Sequence, residues 1–563
     1  MVPRHILSRA PSPVSSDLRA PFWPSRWDGS GGCTDLLRQN EGLMDEGRNF
    51  AVPRRINRRE ALKLAFLGGV ATTFQACGSR PFHGDDSGRV PRFEAALPIP
   101  PVLEPARSDE HGDYYEIEAR ESTAKILPGR HTTIRGYNGI FPGPTIKNTR
   151  GRATHIRFTT ELQIPVVTHL HGGQTPSDSD GWPKDVILPA GHPVSATSMS
   201  MDHTGDAGRM AHASVSKSIN NYTYPNDRRA ATLWYHDHAM GVTGQNVYMG
   251  LAGFYLVDDE EERSLPLPKG RYDIPLMLCV RQFNDDGSFR YNPHGHAGAD
   301  GDVILVNGAA WPALQVERRR YRFRILNASN STTFTLALSS GRRFVQIATD
   351  GGLIARVVEV QRIPIAMAER VEVVIDFSSH TAGDSVVLRN TEKHGPFGEI
   401  MRFDITGPTV SDHDQLPNQL SAIEALRPEA AVRTRTFTFG PRPELKYHYP
   451  PVNWAINGKR FDPEHAQANP RLGDVEIWRF VYEKSPWKQT HPVHIHLVNF
   501  QILDRNGQAP DAHERGWKDT LRLDSGDDAR VIMRFDGYRG RYLMHCHNLE
   551  HEDYDMMMRF DVV

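Results

Sequence analysis

The chain has 563 residues, with 66 Lys and Arg against 68 Asp and Glu and a formal net charge of −2. Without a basic excess there is no electrostatic footprint for nucleic acid or an anionic membrane surface. The length allows several domains with real cores, and 47 Gly and 40 Pro scattered along it fit an all-β chain with many turns.

The first 90 residues are expected to lie outside the fold. Residues 1–43 are rich in Pro, Ser and Arg without an apolar period, and Met44 is well placed to be the true start. In "RRINRREALKLAFLGGVATTFQACGS", Arg58 and Arg59 precede the weakly apolar run Leu62–Phe74, which is too short to span a bilayer. The pattern is that of a twin-arginine export signal. Residues 44–90 are therefore read as signal and linker, and the mature protein is expected in the periplasm or outside the cell. "FQAC" before Gly78 weakly matches a lipoprotein box, which makes a lipid anchor at Cys77 the alternative ending of this segment. Cys33 and Cys77 fall in or beside it, so the body keeps only Cys279 and Cys546. Two cysteines make no disulfide framework, which leaves Cys546 free for other work.

From residue 91 onward a pattern recurs three times. "YNGIFPGPTI" at 137–146, "VNGAAWPALQV" at 306–316 and "INGKRFDP" at 456–463 each hold an Asn-Gly turn followed by an aromatic residue and a Pro. A strand-like run follows each: "ATHIRFTTEL", "RRYRFRILNAS" and "DVEIWRFVYEK". Alternation of β-branched, aromatic and charged residues reads as half-buried strands. Three β units are expected, at 91–262, 263–410 and 411–563, each large enough for a sandwich.

The next strand separates the units. It is "VVTHLHGG" in the first and "HPVHIHLV" in the third, but "STTFTLAL" in the second. A metal cluster between the first and third units, with the second as spacer, follows. Four motifs hold ten of the 26 histidines: His169 and His171; His236 and His238; His491, His494 and His496; and His545, His547 and His551. Strand residues i and i+2 share a face, roughly 6.5–7 Å apart, so each His-x-His pair can serve one centre or two adjacent ones. "HGH" at His294 and His296 lies in a Gly-rich stretch and reads as a loop. The insertion at 191–222, with Met199, Met201, His203, Met210 and His212, reads as a polar surface loop; the alternative is a soft thioether set that binds Cu(I).

In "MHCHNLEHEDYDMMM" (544–558) the two histidines of His-Cys-His face one way and Cys546 the other. Cys546, His551, His491 from the other strand and a weak axial Met556 describe a blue-copper electron-transfer site. Cys546 then links that site covalently to the histidine cluster through His545 and His547.

These residues resemble the multicopper oxidases over about residues 110–563, in particular three-domain bacterial laccase-like members. "HLHGGQTPSDSDGWP", "LWYHDHAMG" and "HCHNLEHEDYDMM" bring the likeness closest to spore-coat laccase, bilirubin oxidase and phenoxazinone synthase. The resemblance implies an all-β chain of three consecutive cupredoxin-like Greek-key β-sandwich domains. It implies four coppers: type 1 on His491, Cys546, His551 and Met556; type 2 on His169 and His494; one type 3 on His171, His236 and His547; the other on His238, His496 and His545. The implied activity is one-electron oxidation of phenolic or other aromatic reductants coupled to reduction of O2 to water, in a chain expected to be monomeric. Asp180 and Glu552 match acidic positions that look proton-linked in this branch; as plain structure they would be a turn cap and an ion pair. Oxidation of Cu(I) with a role in copper tolerance is the rival activity, weakened because no Met occurs between Met401 and Met533. A copper-free structural relative is disfavoured by the complete ligand set.

Overall fold

The three Asn-Gly repeats are where the three units begin to look alike in space. The computed structural model describes residues 90–190, 217–293, 297–410, 415–442 and 454–563. The export segment, Cys33, Cys77, the insertion at 191–216 and His294/His296 lie outside the described residues. Asn138, Asn307 and Asn457 all take positive φ (54°, 49° and 56°), followed by Gly139, Gly308 and Gly458, also at positive φ. Asn tolerates the left-handed region and Gly has no penalty there. Each asparagine then docks on the neighbouring strand: its N–H donates to the carbonyl of Glu118, Met277 or Thr438, and its Oδ1 accepts from the N–H of the same residue. The repeat is thus a backbone-mimicking plug that closes one edge of each unit.

Each plug belongs to a sheet of one topology. Gly112–Ala124 pairs in parallel with Thr154–Thr160, Asp273–Arg281 with Arg320–Asn327, and Arg433–Pro441 with Val475–Tyr482. In each case the second strand runs antiparallel to the next: Ile219–Tyr224, Arg370–Asp376 and Asp528–Arg534. Three further sheets complete the sandwiches. They contain Thr168–His171 beside Ala231–Asp237, Phe334–Leu338 beside Ser385–Asn390, and His491–Ile495 beside Gly540–Cys546.

Both sheets of a unit point side chains into one core. Ile117, Phe158 and Tyr222 meet Leu170, Leu233 and Tyr235 in the first. Leu276, Phe323 and Val373 meet Phe334, Leu336 and Phe403 in the second. Phe437, Trp478 and Val531 meet Val493, Tyr542 and Met544 in the third. On this strand the second unit buries Phe334 and Leu336 in its core, as the first buries Leu170 and the third Val493, but its alternate positions carry Thr335 and Ala337 in place of histidine. Burying a Phe or Leu side chain contributes roughly 1.5–3 kcal/mol each, so this strand stabilises its sandwich and brings no ligand.

Two sequence expectations change here. The run Arg320–Asn327 was expected to be half-buried, but all of it beyond Arg320 is buried. Arg322 and Arg324 do not face water; they are sunk among Glu262, Glu372 and Asp273, where bidentate guanidinium pairs replace hydration. Glu262 follows the first sandwich, so this cluster ties the first two units together. Breaking one partner of such a buried set costs about 3–5 kcal/mol. Second, the tail of the expected surface loop at 191–222 is structured, because Ile219–Tyr224 is a strand of the first sandwich.

The plug makes a stability prediction. Asn307 is buried and also donates from Nδ2 to Pro98 O and Pro275 O. Asn307→Ala removes these bonds, strands the Met277 N–H and places Ala at positive φ, for a loss of about 2–5 kcal/mol. Asn457→Ala, at a part-exposed turn, should cost less. Thermal unfolding of the two variants checks the order; equal, small shifts would show the plug to be dispensable.

Candidate metal centres

Strand register decides which imidazoles meet. His169 lies opposite His236 in one antiparallel pair, and His494 opposite His545 in another. With His171, His238, His496 and His547 they form one cluster, each at most 1% exposed. Its donor atoms fall into sets lying within 4.8 Å: His171, His236 and His547; His238, His496 and His545; and His169, His494 and His496.

The hydrogen bonds behind the rings set their tautomers. A backbone carbonyl only accepts, so an imidazole nitrogen facing one must carry the proton. Nδ1 of His169 faces Asp180 O at 2.6 Å, that of His236 faces Asp237 O at 2.8 Å, and that of His494 faces Asp519 O at 2.9 Å. His545 Nδ1 faces Cys546 O at 3.2 Å, and His496 Nδ1 donates to Asp180 Oδ2 at 2.7 Å. All five therefore turn an Nε2 lone pair inward. The inward nitrogens of His169 and His494 stand 3.4 Å apart, and those of His496 and His545 3.1 Å apart. Two lone pairs cannot hydrogen-bond each other. Buried acceptors facing this way require a cation between them, so the residues fit a metal.

Cys546 occupies the other face of its strand. Its Sγ lies 3.4 Å from His491 Nδ1 and 3.7 Å from His551 Nδ1, and the two nitrogens are 3.2 Å apart. His491 shares this face because it is an odd number of residues from His494. His551 arrives from a single helical turn, Leu549–Asp553, whose N-cap is Asn548. Met556 is fully buried in the same core, and its carbonyl accepts the Cys546 N–H at 2.9 Å. Trp454 packs on both imidazoles, with ring centroids 4.8 and 4.7 Å away, and Tyr482 lies 4.5 Å from His491. Burial in this aromatic shell pushes the Cys546 thiol up, so a bound cation is what would hold it as thiolate. Imidazole, thiolate and thioether are together a soft donor set suited to copper.

Both expected acids reach the cluster. Asp180 caps the short turn Ser177–Ser179 and also bridges two histidines, with its carbonyl on His169 and its carboxylate on His496. Burial raises it to about 7, against the pull of His238, Thr175 and His545. Glu552 is fully buried, with oxygens 3.3 Å from His238 Nδ1 and 3.1 Å from His545 Nδ1. Burial alone would raise it, but His545 and His238 outweigh that and hold its carboxyl below the usual range.

Two residues escaped the sequence reading. Asp237, between the histidines of "HDH", accepts from Val167 N, Ala239 N and Asn246 Nδ2 and so braces the strand end that aims both rings. A carboxylate inside a histidine pair was the available signal. Asp519 accepts at Oδ1 from His171 Nε2 at 3.1 Å; it lies in no histidine motif, and nothing local marks it.

The chain matches family models described as multicopper oxidase over residues 118–200 and 194–262, 246–397, and 437–563. It is 36% identical to a laccase of Bacillus subtilis, across 84% of this chain and 98% of that protein. It is 34% identical to a bilirubin oxidase of Albifimbria verrucaria, across 84% and 82%. The solved structure of a laccase from Pediococcus acidilactici superposes with a TM-score of 0.74 at 29% identity, covering 84% of this chain and 95% of that one.

The buried imidazoles predict how the metal-free protein responds to acid. His236 and His491 sit at about 3 instead of 6.5 because burial penalises the cation, and His169, His171, His238, His494, His496 and His547 are lowered as well, burial first. The unfolded chain protonates these groups below 6.5 while the folded chain does not, so their contribution is complete above that pH and is lost as pH falls toward 3. Asp180 and Asp237, raised by burial from 3.8 to about 7, act with opposite sign and lose their contribution as pH rises. The histidines outnumber them. Unfolding midpoints of the metal-free protein should fall steadily on acidification below 6.5; a flat or rising profile would contradict neutral burial.

Proposed function

The chain belongs to the multicopper oxidases, as a bacterial laccase-like oxidase that uses O2, and we propose that it couples one-electron oxidation of phenolic or other aromatic small molecules to the four-electron reduction of O2 to water. The observation that carries this reading is the division of labour in His545-Cys546-His547. The sulfur faces one buried donor set, and the flanking imidazoles face two others.

Four coppers are assigned to these residues. His491, Cys546 and His551, with Met556 as a weak fourth donor, would hold the type 1 ion. His169 and His494 would hold type 2. His171, His236 and His547 would hold one type 3 ion, and His238, His496 and His545 the other. Bound copper supplies the single-electron steps and the reduction of O2; the chain supplies geometry, dryness and protons. The covalent path from Cys546 into its neighbours is the short route between the two places. Trp454 and Tyr482 keep water from the thiolate side.

Reduction of one O2 to two waters consumes four protons. Asp180 holds a proton between its Oδ2 and His496 Nδ1. Glu552 faces the Nδ1 atoms of His238 and His545. Both reach the rings from behind and can relay protons without displacing an inward nitrogen. The three sandwiches are assigned as domains at 91–262, 263–410 and 411–563, and residues 44–90 as an export signal and linker for a periplasmic or extracellular enzyme. No helix among the described residues is long and apolar enough to cross a membrane.

O2 uptake by the copper-loaded protein over a panel of phenols, aminophenols and Cu(I) tests the reading. Turnover of the organic substrates without added copper supports it; activity that depends on added copper would favour Cu(I) as substrate. Cys546→Ser should abolish the thiolate absorption band and oxidase activity together, and a surviving band would sink the assignment. Met556→Leu should keep copper and raise the type 1 potential, whereas loss of that copper would show the thioether to be a holding ligand. Asp180→Asn and Glu552→Gln should leave bleaching of the blue band by substrate unchanged and slow its return with O2, followed by stopped flow. Reoxidation at the parent rate in both variants would leave these carboxylates a structural role only.

A further inference from the structure

One ring in the cluster is turned the other way. His171 points Nε2, not Nδ1, at its backing oxygens: Asp519 Oδ1 and Thr520 Oγ1, each at 3.1 Å. Its Nδ1 is buried and has no protein partner. The proton therefore sits on Nε2, and the inward lone pair is on Nδ1. Asp519 also accepts His494 Nδ1 on its carbonyl at 2.9 Å. This is the arrangement of Asp180 in mirror. Asp180, from the first sandwich, takes its own unit's His169 on the carbonyl and the third unit's His496 on the carboxylate. Asp519, from the third, takes its own unit's His494 on the carbonyl and the first unit's His171 on the carboxylate. Two aspartates thus cross-brace the two halves of the cluster.

They differ in what stands behind them. Arg370 grips both Asp519 oxygens at 2.7 and 2.5 Å. Its remaining donors go to Thr232 O, Ala368 O and Asp350 O. Arg370 begins a strand of the second sandwich and its side chain is fully buried, so one side chain joins all three units behind the cluster. The chain leaves room for it: a Cβ on Gly172, the residue after His171, would stand 2.7 Å from both Arg370 Nη2 and Asp519 Oδ2.

We propose that Asp519, clamped by Arg370, is a positioning residue that imposes the inverted tautomer of His171 and so completes the donor set of His171, His236 and His547. The proposal rests on the copper reading above. A bidentate pair keeps the carboxylate oriented, and an oriented carboxylate accepts from only one edge of the ring. The second unit is then a working part of the centre, through one side chain.

The test compares full-length Asp519→Ala, Asp519→Asn and Arg370→Lys. In copper-loaded protein, Asp519→Ala should lose copper from the histidine sets and show newly EPR-visible, uncoupled copper, while the Cys546 thiolate band keeps its parent intensity per chain. Asp519→Asn, which keeps an oxygen acceptor for His171, should recover copper relative to Ala. Parent copper content and EPR spectrum in Asp519→Ala overturn the proposal. So does equal loss from both centres along with a lower thermal midpoint, or equal loss in Asn and Ala. A metal-free arm separates this from the copper reading: C2 deuterium exchange of His171, read by mass spectrometry, should speed up in Asp519→Ala and in the milder Arg370→Lys, with His551 unchanged. Unchanged exchange at His171 overturns the proposal whether or not the parent binds copper.

Discussion

The structure depends on one constraint: neutral imidazoles, buried together, with their lone pairs aimed at shared points. Desolvation disfavours protonating them, and the carbonyls behind His169, His236 and His494 commit each Nδ1 proton outward. Left alone, opposed acceptors 3.1–3.4 Å apart are among the costliest contacts a core can hold. A cation would turn that cost into binding, and the surrounding fold keeps the rings from relaxing apart.

Three kinds of restraint do this. Cross-strand register sets His169 against His236 and His494 against His545, so that a slip by one residue would turn every one of these imidazoles to the wrong face. Carboxylates hold the rings from behind, with Asp180 and Asp519 reaching between units and Glu552 facing His238 and His545. Buried ionic clusters then hold the sandwiches at fixed distance. Arg322 and Arg324 share Glu262, Glu372 and Asp273, and Lys518 pairs with Asp350 and Glu369 one residue from Asp519. Such clusters add little net stability compared with apolar packing, but they tolerate very little displacement, and placement is what a centre shared between units needs.

The centre at Cys546 uses the opposite economy. One strand carries the thiol on the face away from its histidines, into a core of Trp454, Tyr482 and Trp478. The sulfur is kept dry by packing and accepts the Asn548 N–H at 3.4 Å, and the helical turn 549–553 brings His551 back to it. Separating two donor sets across the thickness of one strand keeps them close in covalent bonds and chemically distinct.

Much of this was legible in the chain because strand geometry is strict. Period two places His169 with His171 and His494 with His496, and the odd spacing of His491 and Cys546 puts them on the other face. The Asn-Gly repeats announced three units, and "STTFTLAL" marked the unit whose strand carries no histidine. Local pattern could not say that Arg322 and Arg324 are buried, since alternating arginines read as a wet face until partners from other segments are present. Nor could it find Asp519 or Arg370, 149 residues apart. The order of residues by itself determined which side chains can share a face; which way each ring is turned, and by what, was decided only when three sandwiches closed around them, because hydrogen bonds between distant segments have no signature in either segment alone.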